Sequence, residues 1–242
     1  MMRMRPGARE VGGRWLWKAD LPVWLQAGTR WIRARMVFME GKDVEVPVSL
    51  HRALIEVDDS ILIVIDVQEH FLAKLPPEER GPLTERIGWL IGAADRLDIP
   101  IIATAEGIDE LGGVAPSIAR GLPSRCPVFD KSVFGLAEDG EILNAVVETG
   151  RRTAILVGLE TDVCVAHSAL GLMRRRFEVV VVADGTASPG AGHEIGLERV
   201  RRGGGLISSV KAVYYEWVRT VAGDRAFFDR RPEVEVPDSL TL

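Results

Sequence analysis

One cysteine of this sequence lies where an apolar, strand-like run changes into a helix-like one. The segment is "AILVGLETDVCVAHSALGLMRRRF" (154–177). Its apolar run "AILV" and the glycine that follows come before Cys164, and a helical pattern comes after Cys164. If the helix begins near Asp162, the backbone amides and helix dipole at its first turn lower the pKa of the thiol and favour the thiolate. Cys164 is then either a nucleophile or a small hydrophobic residue that fills a gap in the core.

Two other residues have the chemistry to activate this thiol. Asp66 ends the apolar run "ILIVID", and Lys131 lies in "VFDKSVFGL" between aromatic and aliphatic residues. A lysine in apolar surroundings needs an anionic partner, and its positive charge lowers the pKa of a nearby thiol. A hydrolytic cysteine also needs a base and an oxyanion pocket, which Asp66 and the backbone amides of the turn can supply. The residue types favour a hydrolase but leave an inert, buried Cys164 open.

The elements that would position these residues alternate along the chain. Apolar, β-branched runs predict strands and the segments between them predict helices: strands at 61–66, 99–105, 153–158 and 178–184, helices at 82–97, 138–149, 162–175, 190–203 and 210–221. Strands that are apolar on both faces and alternate with helices indicate a three-layer α/β domain with a mainly parallel sheet. Ligands bind such sheets at the carboxyl ends of the strands, where Asp66, Glu106 and Cys164 all lie.

Composition excludes several classes of protein. The 242 residues are 47% hydrophobic, enough for one sizeable core, and no apolar run approaches the length of about 20 residues that a membrane helix needs. A net charge of -5 disfavours nucleic acid as a partner. The two cysteines, Cys126 and Cys164, form neither a disulfide framework nor a metal-binding pair, and we predict that Cys126 is buried and inert. We therefore expect a cytoplasmic protein that acts on a small molecule.

The N-terminal segment differs in composition from the rest of the chain. Residues 1–35 contain seven Arg and one Lys against one Glu and one Asp, and four of the six tryptophans lie there. A membrane-surface segment, a transit peptide, and a disordered or upstream extension all fit this composition. We interpret residues 1–45 as an extension without catalytic residues, 46–225 as the catalytic domain and 226–242 as a C-terminal tail.

Three further features have two interpretations each. The segment "GAGHEIG" (190–196) is similar to a dinucleotide-binding fingerprint, but its third glycine is one residue late. Ser188 followed by proline instead fits a helix N-cap. His167 lies one helical turn after the cysteine and could form a dyad with it, and His193 lies at a predicted helix start. His193 could reach the site or a neighbouring subunit. We favour helix packing for His193 and a structural or subunit-contact role for His167.

Four blocks of the sequence, in this order, resemble the isochorismatase-like superfamily in its cysteine hydrolase branch. They are "ILIVIDVQEHF", "KSVFG", "ILVGLETDVCVAHSALGLMRRRFEVVVVADGTAS" and "GHEIGLERVRRGG", and they span about residues 59–221. The resemblance implies a Rossmann-like fold: a six-stranded, mainly parallel sheet of order 3-2-1-4-5-6 with helices on both faces. It also implies homo-oligomers.

The resemblance also assigns roles to individual residues. It implies a catalytic triad of Asp66, Lys131 and Cys164. It implies a cis peptide bond between Leu159 and Glu160, and an oxyanion hole formed by the backbone amides of Glu160 and Cys164. The implied reaction is hydrolysis of a C–N bond in a small amide or urea-like substrate, through a thioester acyl-enzyme and without a cofactor.

Departures from related enzymes refine these expectations. Nicotinamidases carry metal-binding histidines after the second strand, whereas "TAEGIDELGG" contains none, so we predict no catalytic metal. Isochorismatases proper cleave a vinyl ether without the cysteine, so Cys164 argues against that reaction. A non-catalytic binding or scaffold protein, and an isochorismatase-type hydrolase of another small metabolite, stay open as alternatives. We expect four residues to line the substrate pocket: His70, Phe71, Glu106 and Phe134.

Overall fold

The computed structural model describes residues 54–229 and 235–242 in full, and the backbone of four short strands nearer the N-terminus. The chain divides into two compact units, residues 1–48 and 49–242. The prediction of a disordered or upstream extension over residues 1–45 lies largely outside the described residues. The four strands form two antiparallel hairpins: β1 (Arg9–Val11) with β2 (Arg14–Leu16), and β3 (Pro22–Ala27) with β4 (Arg30–Arg35).

The larger unit is built on a six-stranded sheet. Its strands are β5 (Ser60–Ile65), β6 (Ile101–Glu106), β7 (Val128–Lys131), β8 (Thr153–Leu159), β9 (Glu178–Ala187) and β10 (Leu206–Ser208). Every neighbouring pair is parallel. Counted in chain order, the six strands lie in the order 3-2-1-4-5-6. This confirms the predicted fold class.

Helices connect these strands. They are α1 (Glu69–Leu72), α2 (Pro77–Arg96), α3 (Ile108–Leu111), α4 (Pro116–Ala119), α5 (Gly140–Glu148), α6 (Ala166–Arg174), α7 (Gly192–Gly203), α8 (Val210–Val218) and α9 (Val221–Asp229). A π-helical turn, Thr161–Val165, precedes α6. Within the described residues, none of the helices has both the length and the apolar content needed to cross a membrane.

The two faces of the central strand β5 belong to two different hydrophobic clusters. Leu62 and Val64 pack with α2 and α8 on one face, whereas Ile61, Ile63 and Ile65 pack with α5, α6 and α7 on the other. Successive side chains of a strand point to opposite faces, so a strand between two helical layers must be apolar at every position. The continuous apolar run of β5 is thus the sequence signature of this three-layer packing.

The structure corrects several predicted boundaries. The strands β7 and β10, which carry no continuous apolar run, lie at the two edges of the sheet. Each has one neighbour and an exposed side, and in β7 only Lys131 is buried. Helix α2 begins at Pro77 instead of residue 82. Ser188 is not a helix N-cap, because α7 begins at Gly192 and the Ser188 hydroxyl bonds to the loop that carries the cysteine.

Candidate active site

Four polar side chains meet at the carboxyl edge of the sheet. Asp66 directly follows β5, and Cys164 lies in the π-helical turn after β8, the strand next to β5. Glu106 and Lys131 are the last residues of β6 and β7 and are paired in register across these two strands. Because the strands are parallel, their ends lie side by side, and residues separated by up to 98 positions in the sequence come together.

The Lys131 ammonium lies at the centre of this group. Its Nζ is 2.7 Å from Asp66 Oδ2, 3.2 Å from Glu106 Oε2 and 3.6 Å from Cys164 Sγ. It also donates a hydrogen bond of 3.0 Å to the carbonyl oxygen of Val133. The side chains of Lys131 and Asp66 are both fully buried. The anionic partner that a lysine in apolar surroundings requires is therefore Asp66, supported by Glu106.

Asp66 occupies a strained and buried position. Its φ of 48° lies in the left-handed region, which aspartate tolerates better than most residues. Thr104 donates a hydrogen bond of 2.8 Å to its Oδ1. Burial raises the pKa of Asp66, although Lys131 and the Thr104 hydroxyl oppose that rise by stabilising the carboxylate. A carboxylate with a raised pKa is better matched to accepting a proton near neutral pH.

The charges around Lys131 keep it protonated. Burial by itself lowers the pKa of Lys131, but Asp66, Cys164 and Glu106 together outweigh burial and raise it. The raised pKa favours the ammonium form of Lys131 and disfavours its use as a base. A cation of this kind compensates the charge of a carboxylate and of a thiolate at the same time.

The environment of Cys164 differs from the expectation of a lowered thiol pKa. The residue is only 3% exposed, and its Sγ lies 3.3 Å from Glu106 Oε2. Burial is the largest cause that raises the pKa of Cys164, the Asp66 carboxylate raises it further, and Lys131 only partly opposes them. The prediction was wrong because two carboxylates and desolvation outweigh one ammonium group. The thiol keeps its proton until a base removes it.

Glu106 is held by a buried glutamine that the sequence analysis did not identify. The backbone N–H of Glu106 donates a hydrogen bond of 2.7 Å to Gln68 Oε1. Gln68 Nε2 in turn donates to the backbone carbonyl oxygens of Glu106 (2.9 Å) and Gly112 (2.6 Å). Gln68 is fully buried, so these bonds fix it and the end of β6 together. Both Gln68 and Thr104 are polar residues within three positions of a strand end, which is the signal that could have identified them.

The turn that carries Cys164 has the backbone feature that the resemblance implies. The peptide bond between Leu159 and Glu160 is cis, which confirms that prediction. The carbonyl oxygen of Glu160 accepts hydrogen bonds from the amides of Val163 and Val165. On the surface, the Glu160 carboxylate pairs with Lys74 at 2.9 Å.

Helix α7 supports this turn through its glycines. A Cβ added at Gly196 would lie 2.7 Å from backbone atoms of Asp162, and one at Gly192 would lie 2.7 Å from the Asp162 carboxylate. His193 from the same helix lies 2.9 Å from the hydroxyl of the buried Thr161. The glycine spacing of "GAGHEIG" thus serves close packing of a helix against the turn. His193 thus links α7 to the turn that carries Cys164.

The other three predicted pocket residues have contacts with side chains outside this group. His70 is exposed and packs edge-on against the ring of Phe71, with 5.1 Å between ring centroids. Phe71 belongs to the hydrophobic core beneath α2. Phe134 is 54% exposed and its ring contacts exposed His167. Of the four predicted pocket residues, only Glu106 contacts the thiol and the lysine, and His167 lies on the surface instead of pairing with Cys164.

Three of the clustered residues carry metal-ligating atoms. Ligand atoms of Asp66, Glu106 and Cys164 lie within 4.8 Å of one another. However, the Lys131 ammonium already lies within 3.6 Å of all three. A metal ion would have to displace this buried cation. The donor set therefore fits the ammonium group and does not fit an additional metal ion.

Comparison with known proteins places this arrangement in a family. The family model of the Isochorismatase domain matches residues 60–211, which include all four clustered residues. The chain belongs to the isochorismatase family. As an isochorismatase-family hydrolase, it has curated relatives such as the secreted isochorismatase effector Isc1 of Phytophthora sojae. That protein is 31% identical over 164 residues, which cover 65% of this chain and 76% of the relative.

Solved structures of the same fold include a protein from Caenorhabditis elegans and one from Escherichia coli. The MAR1 ribonuclease from Caenorhabditis elegans superposes on this isochorismatase-family chain with a TM-score of 0.68 and 25% identity, covering 78% of this chain and 98% of the other. The YcaC gene product from Escherichia coli, an octameric hydrolase of unknown specificity, gives a TM-score of 0.64 and 22% identity over 74% and 92% of the two chains. The second similarity shows the fold alone.

Proposed function

We propose that this protein is a cysteine hydrolase that cleaves the C–N bond of a small amide or urea-like molecule through a thioester. The observation that carries the proposal is the fully buried Asp66–Lys131 ion pair beside the Cys164 thiol. The Lys131 Nζ lies 2.7 Å from Asp66 Oδ2 and 3.6 Å from Cys164 Sγ. Burying two charges costs several kcal/mol per ion, roughly, before their attraction offsets it. At the ligand-binding edge of the sheet, beside a thiol, such a pair can accept the thiol proton and compensate the charge that forms.

The first half of the reaction forms the acyl-enzyme. Asp66 takes the thiol proton while Sγ of Cys164 attacks the substrate carbonyl carbon, and the C=O π electrons move to the oxygen. The backbone amides of Glu160 and Cys164 donate to that oxyanion. The tetrahedral intermediate then collapses, the C–N bond breaks, and protonated Asp66 gives its proton to the leaving nitrogen. Lys131 stays protonated throughout and compensates the charge that moves between Cys164 and Asp66.

The second half of the reaction returns the enzyme to its resting state. Asp66 removes a proton from a water molecule that attacks the thioester carbonyl. When the C–S bond breaks, the proton on Asp66 returns to Cys164 Sγ. The products are a carboxylic acid and ammonia or an amine. Every bonded atom is supplied by the substrate, the water and these two side chains, so the reaction needs no cofactor.

The same proposal covers the cellular location, the oligomeric state and the class of substrate. We propose a cytoplasmic homo-oligomer that acts on a small molecule and not on nucleic acid or a membrane. The net charge of -5 supports a small-molecule substrate, although one structural relative is named a ribonuclease. The octameric E. coli relative supports an oligomer, and two cysteines without a disulfide support a reducing compartment. The Phytophthora relative is named as secreted, so location can differ within the family.

A panel of primary amides, N-carbamoyl compounds and ureas tests this function. We expect ammonia release by the wild-type protein and by Cys126→Ser, because the half-buried Cys126 lies outside the cluster. We expect no release by Cys164→Ala. Intact-mass spectrometry after rapid acid quench should detect an acyl adduct that hydroxylamine removes. Turnover that survives in Cys164→Ala would refute the proposal, as would a panel that gives neither ammonia nor an adduct.

A further inference from the structure

Glu106 adds a charge that the proposed triad does not require. Asp66 and Glu106 are carboxylates and Lys131 is the cation that pairs with both. With Cys164 as a thiol, the formal sum is therefore one negative charge. Moving the thiol proton to Asp66 leaves that sum unchanged. Within residues 54–229 and 235–242, no second basic side chain forms an ion pair with either carboxylate.

Glu106 is also the accessible member of this cluster. Its side chain is 21% exposed, whereas those of Asp66 and Lys131 are fully buried. Both contacts of its carboxylate, with Lys131 and with Cys164, fall on Oε2. In the described part of the chain, no residue donates a hydrogen bond to Oε1. One carboxylate oxygen beside the thiol is thus left to accept from a bound molecule.

The position of this oxygen is fixed by the fold. Gln68 holds the backbone of Glu106 on both its N–H and its carbonyl oxygen, and β7 pairs with it on the other side. Lys131 and Cys164 then restrain Oε2. A restrained carboxylate accepts charge-assisted hydrogen bonds from N–H groups and repels anions placed in the same space.

We propose that Glu106 determines the charge class of the substrate. It selects molecules that present a cationic or N–H-donating group, such as an ammonium, amidinium, guanidinium or ureido group, next to the scissile carbonyl. It rejects molecules that present a carboxylate there, because a second anion would face an uncompensated charge in a poorly solvated space. This inference rests on the proposed hydrolase function and deepens it.

Thiol reagents of the same reactive class and different charge test this selection without a known substrate. The 2-aminoethyl, methyl and 2-sulfonatoethyl methanethiosulfonates are a cation, a neutral molecule and an anion. In each case Cys164 forms a disulfide with the thioalkyl group and methanesulfinate leaves. Peptide mass spectrometry gives the rate of modification at Cys164, with Cys126 as the reference thiol in the same molecule.

We expect wild-type Cys164 to react roughly tenfold faster with the cation than with the anion, relative to Cys126, since one nearby charge acts in opposite directions on the two reagents. Glu106→Gln keeps the size of the side chain and should remove most of this preference. Glu106→Asp keeps the charge and should retain it. Glu110→Gln is the matched control, because it removes an exposed carboxylate four residues away and should leave the preference intact.

The outcomes separate this inference from the proposed function. Modification of Cys164 at equal rates by cation and anion, or a preference unchanged in Glu106→Gln, would overturn the role of Glu106 and leave the nucleophile standing. If Glu110→Gln also removes the preference, the preference comes from the general electrostatic field of the surface, and the inference is overturned. If none of the three reagents modifies Cys164, the proposed nucleophile itself fails. Should Glu106→Gln not fold, equal rates in the wild type would still overturn the inference, and a cation preference that persists in Glu110→Gln would support it.

Discussion

Replacing Asp66 by asparagine should make the Cys164 thiol ionise at lower pH. Asparagine has nearly the same shape and keeps an oxygen that can accept the hydrogen bond of Thr104. Lys131 keeps its contacts with Glu106 and with a carbonyl oxygen, so the buried cation stays paired. The change therefore removes one negative charge beside the thiol and little else. Because the Asp66 carboxylate raises the pKa of Cys164, its removal must lower that pKa.

The geometry sets the size of this shift. An oxygen of Asp66 and Sγ of Cys164 lie within 4.8 Å of each other. At an effective dielectric constant of about 20, two unit charges at that distance interact by roughly 3.5 kcal/mol. With 1.36 kcal/mol for each pKa unit, the midpoint should fall by about 2.5 pH units. Burial continues to act on the thiol in the variant.

The assay is the rate of alkylation by iodoacetamide as a function of pH, read separately for each cysteine by peptide mass spectrometry. Cys126 is the internal reference, because burial raises its pKa to about 11 and Asp66 is not among its neighbours. Asp109→Asn, a change of the same kind at an exposed site, should leave the Cys164 midpoint unchanged. A midpoint in Asp66→Asn that stays constant or rises would refute the charge arrangement we describe. Once a substrate is known, the same variant should lose about 100-fold or more in turnover, because its base is missing.

Two further predictions concern the supports of the site. Thr104→Val should lower the free energy of unfolding by about 1–3 kcal/mol, because it removes a donor to the buried Asp66 carboxylate; a denaturation midpoint equal to that of the wild type would contradict this. Gly196→Ala should cost about 1–3 kcal/mol, because its Cβ would lie 2.7 Å from the Asp162 backbone. Gly88→Ala is the control in the same denaturation assay, because Gly88 lies in a helix and an added Cβ there would meet open space. It should be neutral or raise the free energy of unfolding by up to about 1 kcal/mol. Equal losses in both variants would argue against close packing as the cause.

Much of the fold follows from hydrophobic patterning. Strands β5, β6, β8 and β9 are buried on both faces, so their apolar runs predict them directly. The edge strands β7 and β10 have mixed patterns because water reaches one side of them, and the sequence alone does not predict them as strands. The strand order came from the resemblance to a family and not from the pattern, since patterning carries no information about which strands are neighbours.

The sequence predicted the residues of the candidate site better than it predicted the pKa of Cys164. Asp66, Lys131 and Cys164 each violate a local expectation, as a charge or a thiol in apolar surroundings, and that conflict identifies them. Gln68 gives a weaker signal, because its amide differs little from other polar residues near a strand end. Glu106 was predicted as a pocket residue, but its contact with the thiol depends on the pairing of β6 with β7.

The sequence by itself determined the four buried strands and the longer helices α2 and α5 to α8, because burial on two faces or on one leaves a periodic record along the chain. It also identified Asp66, Lys131 and Cys164 as candidates for the chemistry, because residue type is local. The tertiary structure alone decided the electrostatics of Cys164. A pKa depends on distances between charges and on loss of solvent, and only folding buries the thiol and brings Asp66 and Glu106 close to it, so that burial and the two carboxylates together outweigh Lys131.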